Sequence, residues 1–356
     1  MKKISLPATI AALTLIAAAT YKLPTQGCVA AHTLQPLVSG LSSSDQAPLS
    51  GRLRGLTVTF GYRTYASYKH YVGDVYQMQR AVLHNEVQNH VDLFDLAINY
   101  QLSPRWSFIS DIPGMAATRH GGGSINTYRD GGLGDVTVGA QAWLFRPPTE
   151  NGGNVAMAVS VKLPSGDNNA SGTTILANKQ RQIRPFDESI QPGDGSWGFV
   201  AAAQAYHPIY FNTVGYFTGS YLFNPRSTTG VLTYRSLPGE QLVSAADQYL
   251  WRGGLSHAAP RAAHFARGLV GSIGGRMEGV PARDLIGDSK GFRRPGYVIS
   301  IEPALLYSRG RTMFNISAPW AMDRNRTTSI NDIAAHTHGD AAFSDYSIIT
   351  SVTRTF

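Results

Sequence analysis

The chain has 356 residues, 15% of them charged, with 37 glycines, 17 tyrosines, one cysteine and a formal net charge of +8. Ordinary soluble domains carry roughly 25% charged residues, so the composition argues against a typical cytosolic enzyme, and its polarity argues against a helical membrane protein. The basic residues are scattered rather than gathered into a recognition motif, which argues against a nucleic-acid partner.

The first residues read as an export signal. Lys2 and Lys3 precede an apolar run from Leu6 to Ala19, shorter than the ~20 residues that cross a bilayer but suited to secretion. The signal occupies residues 1–31, with cleavage after Ala19 or after Ala31. Cys28 follows "PTQG", which puts Thr25 where a lipoprotein signal takes an aliphatic residue; lipidated and unmodified cysteine both stay open. No cysteine follows, so the expected mature chain has no disulfide framework. Residues 32–50 read as a polar linker.

From residue 51 onward, segments of period two recur. "LTVTFGY" places Leu56, Val58, Phe60 and Tyr62 on one face and Thr57, Thr59 and Arg63 on the other. "DLFDLAINY" sets Phe94, Leu96, Ile98 and Tyr100 against Asp95 and Asn99. "DVTVGAQAWLF" sets Val136, Val138 and Leu144 against Thr137, Gly139 and Gln141, and "NVAMAVSVKLP" sets Met157, Val159 and Val161 against Ser160 and Lys162. "GYVISIEPALLY" and "TMFNISAPW" repeat the pattern, with Glu302 and Asn315 on the polar faces. Alternation of this kind marks strands. At eight to eleven residues the strands match the ~9–11 of a tilted membrane strand better than the common globular length of about 5–6.

Five less regular segments, at 106–113, 196–206, 212–223, 248–257 and 267–278, and the final 345–356 bring the total to twelve. Short connections at 102–105, 146–153, 207–212, 259–266 and 308–311 alternate with long ones at 67–88, 114–131, 165–194, 224–247, 279–294 and 321–344. The expected fold is therefore all-β, an antiparallel transmembrane β-barrel of about twelve strands with short periplasmic turns and long extracellular loops. A secreted β-sandwich also alternates. Strand length, the alternating loops and the aromatics near segment ends (Tyr100, Trp106, Trp143, Phe145, Tyr206, Tyr210, Phe211, Tyr307, Trp320 and Phe356) favour the barrel. Within the first long loop, 72–93 reads either as a short amphipathic helix with Val75, Met78, Val82 and Val87 on one side or as an extended loop.

Several stretches resemble the family named for the MetA pathway of phenol degradation: "LSPRWSFISDIPG", "GGLGDVTVGAQAWLF", "AVSVKLPSGD" and "PGDGSWGFVAAAQAYHP", in matching order over roughly 55–356. The resemblance implies an outer-membrane barrel that transports hydrophobic or aromatic compounds. The chain end also resembles the signal that the barrel assembly machinery reads, with Tyr346, Ile348, Val352 and Phe356 on one parity and Phe356 last. The expected home is the outer membrane of a Gram-negative bacterium.

Charge on the lipid face of a barrel costs roughly 2–4 kcal/mol for Lys or Arg at the midplane, so polar residues on the second parity belong inside. They are Arg63, Asp95, Asn99, Gln141, Lys162, Arg276, Glu302 and Asn315. Two roles suit them, a salt-bridge network that holds the barrel's shape or the lining of a solute path. Basic residues in the long loops, among them Arg181, Arg184, Arg293 and Arg294, suit lipopolysaccharide phosphates or the steering of anionic solutes.

Other chemistry is thin. Gly131, Gly132, Gly134 and Asp135 lack both nucleotide-loop spacings and read as a turn into a strand. Asp167 and Asp194 could share a calcium ion but read better as turn formers. His336 and His338, on one face if they lie on a strand, form with Asp340 the densest metal-like group, without a further ligand. No nucleophile motif appears. The function expected is a channel or transporter for small solutes without metal or cofactor; the alternatives are a non-conducting structural or adhesive barrel and a hydrolase active at the rim.

Overall fold

The computed structural model describes residues 55–121, 125–145, 152–259 and 268–356; the expected signal and the linker lie outside them. Twelve strands make the wall: β1 (Leu56–Ser67), β2 (Gln88–Gln101), β3 (Trp106–His120), β4 (Thr127–Leu133 and Thr137–Trp143), β5 (Asn154–Lys162), β6 (Gly198–Tyr210), β7 (Thr213–Phe223), β8 (Gln248–Ala258), β9 (Leu269–Val280), β10 (Gly296–Arg309), β11 (Thr312–Ser317 and Trp320–Asn325) and β12 (Ile348–Thr355). The sheet counts 14 segments because β4 and β11 are each interrupted once, which leaves twelve strands. Every neighbour is antiparallel and consecutive, and β12 pairs with β1 from Thr57↔Thr355 to Thr64↔Ile348. This last ladder closes the barrel. Closure follows from the solvent, because lipid offers no partner to the N–H and C=O groups of an open edge.

The alternation decides which face meets lipid. On β1 the odd positions Thr59, Arg63, Tyr65 and Ser67 are buried while Phe60 is exposed. On β2 Val91, Leu93 and Asp95 are buried opposite exposed Phe94, Leu96 and Tyr100. Val352 and Phe356 are exposed at the chain end, whereas Ile349, on the other parity, points inward and is buried. Tyr346 lies before β12 and stacks on Trp320 at 5.4 Å.

Two interruptions bend the wall. Between Leu133 and Thr137 three residues of β4 face only Ile112 and Pro113 of β3. Pro113 has no N–H to donate, and its carbonyl accepts from Gly134 N at 2.7 Å. The extra residue is a bulge that flips the parity. At the second break, before Pro319, Ala318 N donates to Pro303 O at 3.1 Å.

Three expectations change and one open reading is decided. The stretch 114–131 is mostly strand, since β3 runs to His120 and β4 starts at Thr127, extending the wall beyond the apolar band. Of the two readings of 72–93, helix holds only for α1 (Met78–Val82), whose apolar residues Met78 and Val82 are exposed. Gln88 onward is already β2, whose inward Val91 and Leu93 meet the lumen. Trp143 and Tyr206 do not join an outer girdle: Trp143 is buried and meets Tyr206 edge-on at 5.9 Å.

Outside the barrel ring, Lys69–Val72, Val75–Tyr76 and Ala341–Phe343 form a three-stranded sheet over the mouth. Helix α2 (Ile330–Ala334) is capped there by Ser329 and Asp332. Leu96, exposed and opposite Phe60, tests the lipid face. Leu96→Arg is expected to lose about 2–4 kcal/mol in urea titrations of protein folded into phospholipid vesicles. The same change at inward Gln141 is expected to lose much less; equal losses would contradict the assigned faces.

Candidate functional site: the lumen and its inward-folded loop

The connection from β5 to β6 forms a hairpin, Ser171–Ile175 with Arg181–Pro185, and then turns back into the barrel. Asp187 opens a single 3-10 turn, Glu188–Ile190, by accepting from Ser189 N at 3.1 Å. The turn delivers Ile190 onto inward side chains of four strands. It is fully buried against Tyr65 of β1, Val91 and Leu93 of β2, Met115 and Ala117 of β3, and Ile349 of β12. Burying such a side chain contributes roughly 1.5–3 kcal/mol.

Two polar clusters hold this segment. Upstream, Asp187 takes the guanidinium of Arg294 on both oxygens at 2.9 and 2.5 Å, Arg119 of β3 at 3.2 Å and the Tyr234 hydroxyl at 2.7 Å. Arg294 is itself stacked over Phe292 at 4.6 Å. Burial pushes the Asp187 carboxyl up, but Arg119 and Arg294 together hold it well below the usual carboxylate range. Its neighbour Glu188 goes the other way. Burial lifts it to about 7 against the pull of Arg294, which touches it at 3.3 Å.

Downstream, Lys162 at the end of β5 is buried between Asp135 and Asp194. Asp135 accepts backbone N–H groups from Gly166 and Asp194, each at 3.0 Å. Asp194 also accepts from Ser196 N at 2.9 Å and from Asn224 Nδ2 at 3.2 Å. Burial pushes Asp194 up and Lys162 overrides it, so the carboxyl stays below its ordinary value. The two chain crossings here touch backbone to backbone: a Cβ on Gly193 would lie 2.5 Å from Gly166 O. Thus "GGLGD", "KLPSGD" and "PGDGSWG" meet in one knot. Asp194 pairs with Lys162, and the Asp167 carboxylate accepts from Asn169 N within its own turn.

Below the loop, the side chains of Arg63, Asp95, Asn99, Gln141, Lys162, Arg276, Glu302 and Asn315 all lie on the inward parity, the charged ones deeply buried and Asn99, Gln141 and Asn315 half-buried. They fall into separate groups. Arg63 and Arg276 share Glu278. Glu302 takes Arg252 of β8 at 2.9 and 2.5 Å and the Ser317 hydroxyl at 3.0 Å. Asp95 has Asp111 as its diagonal neighbour on β3. Glu278 was detectable as the residue two beyond Arg276, on the same face. Arg252 and Asp111 sit in glycine- and serine-rich segments with no clean period, and Asp187 and Ile190 lie in a loop that has none.

The loop cations need revising. Arg293 and Arg294 are buried, the first on Asp284 at 2.6 Å, so they do not face outward toward phosphates. Arg181 is exposed on the hairpin and Arg184 half-exposed. His336 and His338 do not lie on a strand: His336 follows α2 with φ 51°, and His338 meets Arg326 O at 2.6 Å. Asp340 pairs instead with His70 and Arg80, each at 2.7 Å.

Between loop and wall lies a cavity of about 120 Å³. Leu93, Met115, Leu222, Val280 and Phe292 give it apolar sides; Glu188, Gln191 and Gln248 and the charged Asp135, Lys162, Asp194, Arg293 and Arg294 give it polar ones.

No protein-family model matches the chain, and no curated protein matches it. Among solved structures, an outer membrane channel from Pseudomonas putida F1 aligns with a TM-score of 0.59 at 12% identity, over 91% of this chain and 100% of that one. The two share their fold, a closed antiparallel β-barrel. Weaker alignments include the β domain of the Bordetella autotransporter BrkA (TM-score 0.47, 11% identity, 84% of this chain and 100% of that chain) and the P. putida toluene transporter TodX (0.42, 7%, 85% and 90%).

Two outcomes follow from the clusters. Lys162→Met leaves two buried carboxylates without their cation, a loss of about 3–5 kcal/mol for a broken buried pair. Earlier thermal unfolding in detergent and faster proteinase K cleavage within 163–197 are expected; unchanged cleavage would sink the knot. For pH, Glu188 binds its proton more tightly when docked, so docking is favoured below its ordinary 4.5 and weakens as pH rises toward about 7. Asp187 has the opposite sense, its contribution being lost only as pH falls below 3.8. Proteinase K cleavage of the segment is therefore expected to increase from about pH 5 to about pH 8, and Glu188→Gln to flatten that rise.

Proposed function

We propose that this protein is an outer-membrane channel that passes small hydrophobic or aromatic molecules by passive or facilitated diffusion. One observation carries the reading: the lumen is closed by a loop held by ion pairs, and this loop encloses an amphipathic cavity against the wall. A purely structural barrel fills its interior with side chains and has no use for such a chamber. Twelve strands fall between the filled eight-stranded barrels and the open 16–18-stranded porins, a width at which a loop decides whether a path exists.

The cavity also speaks for the solute class. Its volume of about 120 Å³ is close to that of an engineered apolar cavity of ~150 Å³ that binds benzene. A single ring fits, its body against Leu93, Met115 and Phe292 and a hydroxyl or amide toward the polar side. The motif resemblance to the MetA-pathway family supports the same class. In this reading Arg181 and Arg184 meet lipopolysaccharide phosphates, and the last strand ending in Phe356 is what the assembly machinery engages.

Refolded protein in a planar bilayer is expected to give reproducible small conductance steps; silence from protein whose gel mobility shifts on boiling would overturn the channel. Benzyl alcohol is expected to bind the detergent-folded protein saturably, and Met115→Trp, which fills the cavity, to abolish that binding.

A further inference from the structure

We propose that Arg63 is a two-position switch across the lumen, closed when paired with Glu278 and open when it turns to Asp95. The proposal rests on the channel reading above. Arg63 leaves β1 and Glu278 leaves β9, with β10, β11 and β12 between them along the wall. Their bond is therefore a chord through the lumen and not a contact between neighbours. It is bidentate, Nη1 donating to Oε2 at 3.0 Å and Nη2 to Oε1 at 2.6 Å, with the side chains only 1% and 2% exposed. The chord lies directly under the loop: Tyr65, the next inward residue of β1, carries Ile190's cluster, and the Arg63 guanidinium sits 5.0 Å over its ring.

Each end of the chord has a substitute partner. Arg276, on the same face of β9, donates to Glu278 Oε2 at 3.0 Å, so the carboxylate keeps a cation when Arg63 leaves. For Arg63 the substitute is Asp95. Register places Leu93 opposite Arg63 and Asp95 opposite Gly61, which makes Asp95 the diagonal inward neighbour on the adjacent strand. Diagonal pairs are separated by about 7–8 Å at Cα, within reach of an arginine. Asp95 is 2% exposed and hydrogen-bonds its diagonal neighbour Asp111, yet its Oδ1 has no partner, and Arg63 Nε has none either. Buried polar atoms are nearly always satisfied, so an orphaned acceptor one rung from an orphaned donor points to a second arrangement that joins them. Arg252 stays on Glu302 in both positions, since its bonds run from β8 to β10, and Glu302 also accepts from the Ser317 hydroxyl of β11.

The test is single-channel recording on wild type, Glu278→Gln and Asp95→Asn, each shown folded by its mobility shift on boiling. Glu278→Gln removes the closed partner and is expected to raise mean conductance roughly twofold or more. Asp95→Asn removes the open partner and is expected to lower open probability several-fold, which keeps the proposal falsifiable should Glu278→Gln fail to fold. If wild type conducts and the folded variants match it, the switch is wrong and the channel stands. If wild type and both folded variants are silent, the channel reading fails and the switch with it.

Discussion

The interior of this barrel depends on Lys162 lying buried between Asp135 and Asp194. A lone ammonium there would not stay charged, and two carboxylates so close would not both ionise without it. Together they pin three chain segments that are far apart in sequence, and the backbone N–H groups of Gly166 and Asp194 bind the same Asp135. With that knot tied, the returning chain has one course, and Ile190 is set against the wall of β1, β2, β3 and β12.

The second cluster differs in kind. Asp187 draws a cation from β3, a cation from the loop before β10 and a hydroxyl from the hairpin Thr228–Leu232 and Leu242–Ser244, so the mouth of the barrel closes on one carboxylate. Removing one partner from such a cluster is costly, but moving the whole segment into water rehydrates every charge at once. Closure built this way is firm against single fluctuations. The Ile190 contact is small enough not to change that balance.

Much of the wall was legible in the sequence, because lipid on one side and polar groups on the other impose a strict period of two. Leu56 to Tyr62 and Phe94 to Tyr100 follow it residue by residue, and the eight inward polar residues lie on the expected parity. Reading failed where this constraint ends. Above the apolar band the outer face of β3 and β4 turns polar and the residues are small or charged, so "GMAATRH" and "TYRDGGL" looked like loop, although Met115 and Ala117 point inward onto Ile190. Trp143 and Tyr206 looked like girdle aromatics because end position alone does not say which way a ring points. The knot was visible only as turn motifs: Asp135 and Asp194 read as turn formers, and their common partner Lys162 as a lumen residue, since nothing local joins positions 27 to 59 residues apart.

Hydrogen–deuterium exchange of the folded protein in detergent tests most directly whether the 186–194 segment is docked. The amides of Ile190 and Gln191 donate to Asp187 O and Glu188 O, under buried side chains. They are predicted to exchange on the slow timescale of the flanking strands β5 and β6, whereas the exposed hairpin tip at 177–180 exchanges fast. Exchange of 186–194 as fast as that tip would show an undocked loop and contradict the account.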